Sequence, residues 1–216
     1  MASDVSMSLI DISQPLAPTT AVWPGDRDVT WTWSAQIDDT SPVNVGALTT
    51  SVHAGTHADA PLHVDADGAA IDEVSLDAYI GPAQVIAVDT ERIRTEHVAR
   101  MEAPRVLFKT AYANVPHTEW APDALAPIEP AAVHALAEQD AVLVGTDAPS
   151  VDPVDSKTLP AHHALNRSGI AILENLALRG VAPGRYELLA CPLRVRGGDA
   201  APVRAVLRAS TADHAA

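Results

Sequence analysis

The chain has 216 residues, enough for one large domain whose core needs neither a disulfide nor a metal to exist. Its 14 basic and 28 acidic residues leave a formal charge of −14, which repels phosphate backbones and anionic lipid and so argues against nucleic-acid or membrane partners. At 19% charged and 47% hydrophobic, the composition is that of a folded chain rather than a disordered one. One cysteine, Cys191, excludes an intramolecular disulfide framework and suits a reducing compartment. The N-terminal residues lack a basic segment followed by an apolar run, and no stretch approaches the ~20 apolar residues that span a bilayer. The expectation is a single acidic, cytoplasmic domain over 1–216.

Alternation of apolar and polar residues predicts strands over 8–13 and 29–35, separated by a proline-rich loop over 14–28 that contains a Pro24-Gly25 turn. A strand over 43–52 leads into a histidine-rich segment, and a turn around Gly68 occupies 64–70. Short apolar runs predict buried strands over 84–88, bounded by Pro82 and Asp89, and over 106–109 and 141–145. Helical spacing covers 129–139, with Pro130 suited to the first turn, and shorter helices are read over 95–101 and 160–166. The residues between, 116–130, form a long proline-rich loop, and loops of that length inside a compact domain often serve function. Late strands are read over 170–173, 186–195 and 203–209. The sum is a mixed, strand-rich α/β domain.

Nine histidines are present, and three fall within eleven residues, in His53-Ala-Gly-Thr-His57-Ala-Asp59-Ala-Pro-Leu-His63. Imidazoles with a carboxylate are a ligand set for zinc and similar divalent ions, and one Asp can bridge two of them through its two oxygens. Gly55 and Pro61 exclude the helical spacing of a zincin, and the spacing is not that of a cupin. A strand end passing into a loop is the expected backbone, with Gly55 taking a positive φ that turns both flanking histidines inward. A second group, His162 and Glu174, lies on either side of Gly169. Glu174 sits in the apolar run Ile-Ala-Ile-Leu-Glu-Asn-Leu, where a buried carboxylate needs a partner such as a metal, although a solvent-facing position has equal standing from spacing alone. Composition does not separate His162 from His163.

The segments S-x-H-x-G-T-H-x-D-A-P-x-H (51–63), A-V-W-P-G-D (21–26), S-P-V-N-V-G (41–46), L-D-A-Y-I-G-P (76–82), G-T-D-A-P-S-V-D-P-x-D-S-K-x-L-P-A-H (145–162) and G-x-D-A-A-P-V-R-A-V-L (197–207) resemble the bacterial kynurenine formamidases, a branch of the metal-dependent cyclase superfamily. The resemblance runs from Ile10 to Leu207. It implies a swivelling β/α/β fold, a homodimer, and two zinc ions per subunit, with manganese or cobalt also acceptable to such ligands. It places His53, His57 and Asp59 on one ion and Asp59, His162 and Glu174 on the other, with Asp59 bridging. It makes His63 the catalytic acid/base and sets Trp23 against the aromatic ring of the substrate, although without that resemblance a loop anchor is the favoured reading of Trp23.

The implied reaction is hydrolysis of N-formyl-L-kynurenine to L-kynurenine and formate, a step of tryptophan degradation. The residue types suit it, because a zinc ion lowers the pKa of bound water to about 7 and polarises a carbonyl, while an unligated histidine can move a proton. Two other readings keep the same ligands: a sibling hydrolase that opens a cyclic amide or lactone such as isatin, and a metal-binding protein without catalysis.

Overall fold

The protein, a computed structural model, is described for residues 9–99 and 101–209. Position 8 of the first expected strand and position 100 of the expected helix over 95–101 lie outside these residues. Eleven strands and three α-helices occur among the described residues. They run in chain order β1 Leu9–Asp11, β2 Thr30–Ala35, β3 Val45–Thr49, β4 His57–Asp59, β5 Ile80–Ala87, α1 Thr95–Val98, β6 Arg105–Lys109, α2 Pro130–Ala137, β7 Leu143–Thr146, α3 Pro160–Arg167, β8 Ala171–Glu174, β9 Gly184–Leu189, β10 Ala200–Pro202 and β11 Val206–Ala209.

Nine strands form one sheet in the order β1-β11-β9-β5-β6-β7-β8-β4-β10, and β2 pairs with β3 in a separate hairpin. The central β5, β6, β7 and β8 are parallel, and the flanking pairs are antiparallel. Parallel strands buried on both faces read as continuous apolar runs, which is why 106–109 and 141–145 carry almost no polar residue. Their alternation still sorts the core. Leu107, Leu143 and Leu173 belong to one cluster with Ile12, Leu188 and Leu207, whereas Val106, Phe108, Val144 and Ile172 point the other way. There they meet Ala132, Val133 and Leu136 of α2 and Ala161, Ala164 and Leu165 of α3. Helices therefore cover one face. On the other the sheet curls over its own side chains, drawn in by a bridge from Ser13 to Leu176. Burying one such leucine fully contributes about 1.5–3 kcal/mol, so this two-sided packing fixes which way each strand residue faces.

The strand-rich mixed α/β expectation agrees with this architecture, with four differences. Strand β5 starts at Ile80 and runs through Pro82, because a proline removes only its own N–H and the antiparallel partner β9 continues past it, with Pro82 opposite Glu187. Strand β9 ends at Leu189 rather than 195, and just beyond it the pairing is an isolated bridge from Pro192 to Val203, with the Leu193 N–H donating to the Pro202 carbonyl. The last expected strand, over 203–209, is shortened to β11, and β10 just before it is unforeseen. Finally, across the histidine segment, where a strand end passing into a loop is expected, the chain forms the separate strand β4, three buried residues.

Candidate metal centre

Strand pairing builds the centre of the site. In β4, Ala58 packs into the curled interior, so its neighbours His57 and Asp59 project to the helix-covered face. The β4–β8 register sets His57 opposite Glu174 and Asp59 opposite Ile172. His57, Asp59 and Glu174 thus emerge together, all buried, beneath α3, whose first turn carries the buried His162. His53 and His63 come from the chain on either side of β4. Gly55 takes φ +62° between His53 and His57, as its position predicts, and a Cβ there would lie 2.8 Å from Leu16.

The proton inventory of the imidazoles shows what this arrangement requires. His57 Nδ1 faces the carbonyl of Gly55 at 2.9 Å, His162 Nδ1 faces a carboxylate oxygen of Asp152 at 2.7 Å, and His53 Nε2 faces Asp199 at 3.0 Å. A carbonyl or carboxylate oxygen only accepts, so each neutral ring carries its single proton on that outer nitrogen. The inner nitrogens then turn lone pairs toward carboxylate oxygens. His53 Nδ1 lies 3.2 Å and His57 Nε2 3.4 Å from Asp59 Oδ1, and His162 Nε2 lies 3.5 Å from Asp59 Oδ2. Glu174 stands 3.5 Å from His57 and 3.4 Å from His162. Among the described residues, His57 Nε2 and both carboxylate oxygens of Asp59 have no hydrogen-bond partner although fully buried.

Acceptors facing acceptors in a dry site need cations between them. Without a metal, protons take that place. Burial pulls the His57 imidazolium down, but the Asp59 and Glu174 carboxylates outweigh it and push its pKa up to about 10. His162 is likewise held well above its ordinary value against burial, chiefly by Asp152, Asp59 and Glu174. The donor set of nitrogen and carboxylate oxygen therefore fits a divalent metal ion. Asp152 has a further task, since its two oxygens accept from the backbone N–H groups of Ala161 and His162 and so hold the first turn of α3.

A cavity of about 470 Å³ opens over these groups. Its walls include Trp23, Trp120, Tyr112 and Pro116. Trp23 belongs to the turn Trp23-Pro24-Gly25-Asp26, in which the Asp26 N–H donates to the Trp23 carbonyl and Gly25 takes φ +99°. Asp26 also accepts from Ser51 Oγ at 2.7 Å, which ties this turn to the chain entering the histidine segment. Trp23 meets Trp120 edge to face, with ring centroids 5.0 Å apart.

All seven residues singled out from the sequence converge here. Trp23, His53, His57, His63, His162 and Glu174 line the cavity, and Asp59 lies beneath it in contact with three of the imidazoles. His162 is directed inward, whereas His163 does not border the cavity. Three further residues went unrecognised in the sequence reading. Asp152 and Asp199 stand in the quoted motifs without a stated task, and Trp120 lies in the long proline-rich loop. Among the described residues no helix is long and apolar enough to cross a membrane.

The chain is similar to known proteins in sequence and in fold. The family model described as "Putative cyclase" matches residues 10–153. A kynurenine formamidase of Salinibacter ruber (strain DSM 13855 / M31) is 56% identical over 208 residues, covering 94% of this chain and 98% of the relative. Of the solved structures, a "predicted metal-dependent hydrolase from Bacillus stearothermophilus" matches with a TM-score of 0.79 at 28% identity, over 94% of this chain and 99% of its own. An isatin hydrolase bound to the product analogue thioisatinate has the same fold, with a TM-score of 0.81 at 21% identity over 95% and 93% of the two chains. With well over half its length matched and a 56% identical relative, the chain belongs to the cyclase family.

Proposed function

We propose that the chain is a metal-dependent amidohydrolase that converts N-formyl-L-kynurenine and water to L-kynurenine and formate in tryptophan degradation. The observation that carries this reading is the set of unpaired, buried acceptor atoms of His57 and Asp59 at the foot of an aromatic-walled cavity, in a chain 56% identical to a kynurenine formamidase. In this reading His53, His57 and Asp59 hold one ion and Asp59, His162 and Glu174 a second, zinc by preference, with manganese or cobalt also compatible. The support is that Asp59 presents its two oxygens to different imidazoles, Oδ1 to His53 and His57 and Oδ2 to His162. Such ions supply Lewis acidity and make water ionisable near neutral pH.

The protein's own groups supply the rest. His63 has its Nδ1 3.4 Å from Asp199, so its proton resides there and Nε2 is free to take a proton from water. It then returns that proton to the amide nitrogen as the formyl carbon–nitrogen bond breaks. The departing aryl amine is a better leaving group than an alkyl amine, because its ring delocalises the nitrogen lone pair. Trp23 and Trp120 form an apolar wall for that ring, which also keeps bulk water from the reacting carbonyl.

Three finer readings accompany this one. Residues 1–216 act as a single catalytic domain, supported by a sheet that recruits strands from Leu9 to Ala209. The lone, exposed Cys191 fits a cytoplasmic setting. A homodimer is supported by the β2–β3 hairpin, which among the described residues has no third strand and leaves Trp31 and Trp33 each 49% exposed beside Val45 and Leu48.

The test is metal content and turnover on one purified sample. The expected result is two divalent ions per chain, hydrolysis of N-formylkynurenine that is abolished by a chelator and restored by metal, and no opening of isatin. Metal without turnover would leave a binding protein, and preferential opening of isatin would make the chain a cyclic-amide hydrolase. Trp23→Ala supplies a second measurement. Loss of its ring contact, about 0.5–1.5 kcal/mol, should raise KM for N-formylkynurenine roughly 2–10-fold with kcat nearly unchanged, because stacking is similar in ground and transition states. Hydrolysis of a small non-aromatic formamide should be unaffected. Equal losses on both substrates with a lower melting temperature would instead make Trp23 a loop anchor.

A further inference from the structure

We propose that Asp199 is a positioning residue: one of its carboxylate oxygens sets the ring protons of His53 and His63 together, aiming the inner nitrogen of the first at the metal site and the free nitrogen of the second at the substrate. This rests on the formamidase reading for what His63 does, but not for where its proton lies.

Asp199 Oδ2 stands 3.0 Å from His53 Nε2 and 3.4 Å from His63 Nδ1. The two rings lie side by side, with centroids 4.4 Å apart. As an acceptor, the carboxylate requires a proton on each nitrogen that faces it. His53 is thereby left with a lone pair on Nδ1, 3.2 Å from Asp59, and His63 with a lone pair on Nε2. The two rings differ in what this demands. A free neutral histidine favours the proton on Nε2, so His53 keeps its intrinsic preference and His63 is held in the opposite tautomer. The longer contact to His63 matches the loose hydrogen bonds of acid/base groups before substrate is present. Among the described residues, Asp199 is the hydrogen-bond acceptor that His63 has.

Placement of the carboxylate comes from the backbone. The Asp199 carbonyl accepts from the Ala60 N–H at 2.9 Å, and the next residue, Ala200, pairs with Asp59 in the β10–β4 ladder. The ladder that carries His57 and Asp59 thus also sets the height of the Asp199 side chain, which is 47% exposed and contributes little to the core. A single rigid strand pair thereby relates the metal ligands to the acid/base group.

The experiment uses zinc-loaded protein labelled with ¹⁵N at histidine, in which two-bond correlations report the protonated nitrogen of each ring. The parent is expected to carry the His63 proton on Nδ1. Asp199→Ala should move it to Nε2, lower kcat roughly 10–100-fold with KM for N-formylkynurenine within about threefold, and weaken zinc binding roughly tenfold or more in chelator competition. Asp199→Asn keeps an acceptor oxygen in place, so it should retain the Nδ1 proton and recover most of the lost kcat. A parent with the His63 proton on Nε2 would overturn the proposal. So would an alanine variant whose tautomer, kcat or zinc affinity is unchanged, or an asparagine variant as impaired as alanine. If the parent fails to hydrolyse N-formylkynurenine, the functional reading falls, while the tautomers and zinc affinity still decide the role of Asp199.

Discussion

Replacing Asp59 with asparagine is expected to remove the metal and with it nearly all activity. The amide keeps the shape of the side chain but loses its charge and turns an NH₂ group toward one of the imidazole lone pairs that now meet carboxylate oxygens. Without the ions, the water to be deprotonated would lack the acidity that a bound divalent ion supplies near neutral pH. We expect kcat/KM to fall by at least ~10⁴-fold, about 5 kcal/mol of transition-state stabilisation. Elemental analysis of the purified variant should find less than half the metal of the parent, and a variant with full metal and a tenth of parental activity would remove Asp59 from the centre.

The pH response of the same site carries an independent sign. In the metal-free protein His57 titrates near 10, against 6.5 for an ordinary histidine, so its protonated form stabilises the fold at low pH. That contribution is complete below about 6.5 and disappears as pH rises through 10. Asp59 behaves oppositely. Burial raises its pKa, but His162, His53 and His57 together hold it well below 3.8, so its stabilisation is present above 3.8 and lost as acid protonates it. Metal-free protein should therefore lose stability on going from pH 6.5 to 10. Stabilisation by added metal should grow over the same range, because each ion displaces protons from its ligands.

His63→Ala is expected to retain the metal and lose roughly 10²–10⁴-fold in kcat, the span of general acid–base catalysis. The distinction from Asp59→Asn is mechanistic. The side chain of His63 is 29% exposed, has its proton turned toward Asp199, and leaves a nitrogen facing the cavity, whereas the buried imidazoles already aim theirs at Asp59 and Glu174. Metal content and melting temperature should be close to those of the parent. A His63→Ala protein that has lost one equivalent of metal would make His63 a ligand and return the proton-transfer role to another group.

The chemistry of the site was legible because it is written in short range. His53, His57, Asp59 and His63 fall within eleven residues, and their types alone name a nitrogen and carboxylate site for a divalent ion. The parallel core strands were equally visible, since a strand buried on both faces must be apolar throughout. Gly55 was readable for the same local reason: a positive φ is cheap only for glycine.

What remained hidden depends on partners distant in sequence. No local pattern states that His57 lies opposite Glu174, or that Asp199 reaches His53 across 146 positions. Spacing alone did not separate His162 from His163; the first turn of α3, held by Asp152, decided between them by aiming one ring into the cavity. The three-residue β4 has too few residues to show a period, so the sequence predicts no more there than a strand end passing into a loop. Its strand character comes from β8 and β10 pairing on either side. The types of the candidate ligands can be read from the order of residues, whereas the outer acceptors that fix each ring's proton, and hence which nitrogen would face a metal, arise only when long-range strand register brings them within hydrogen-bond distance.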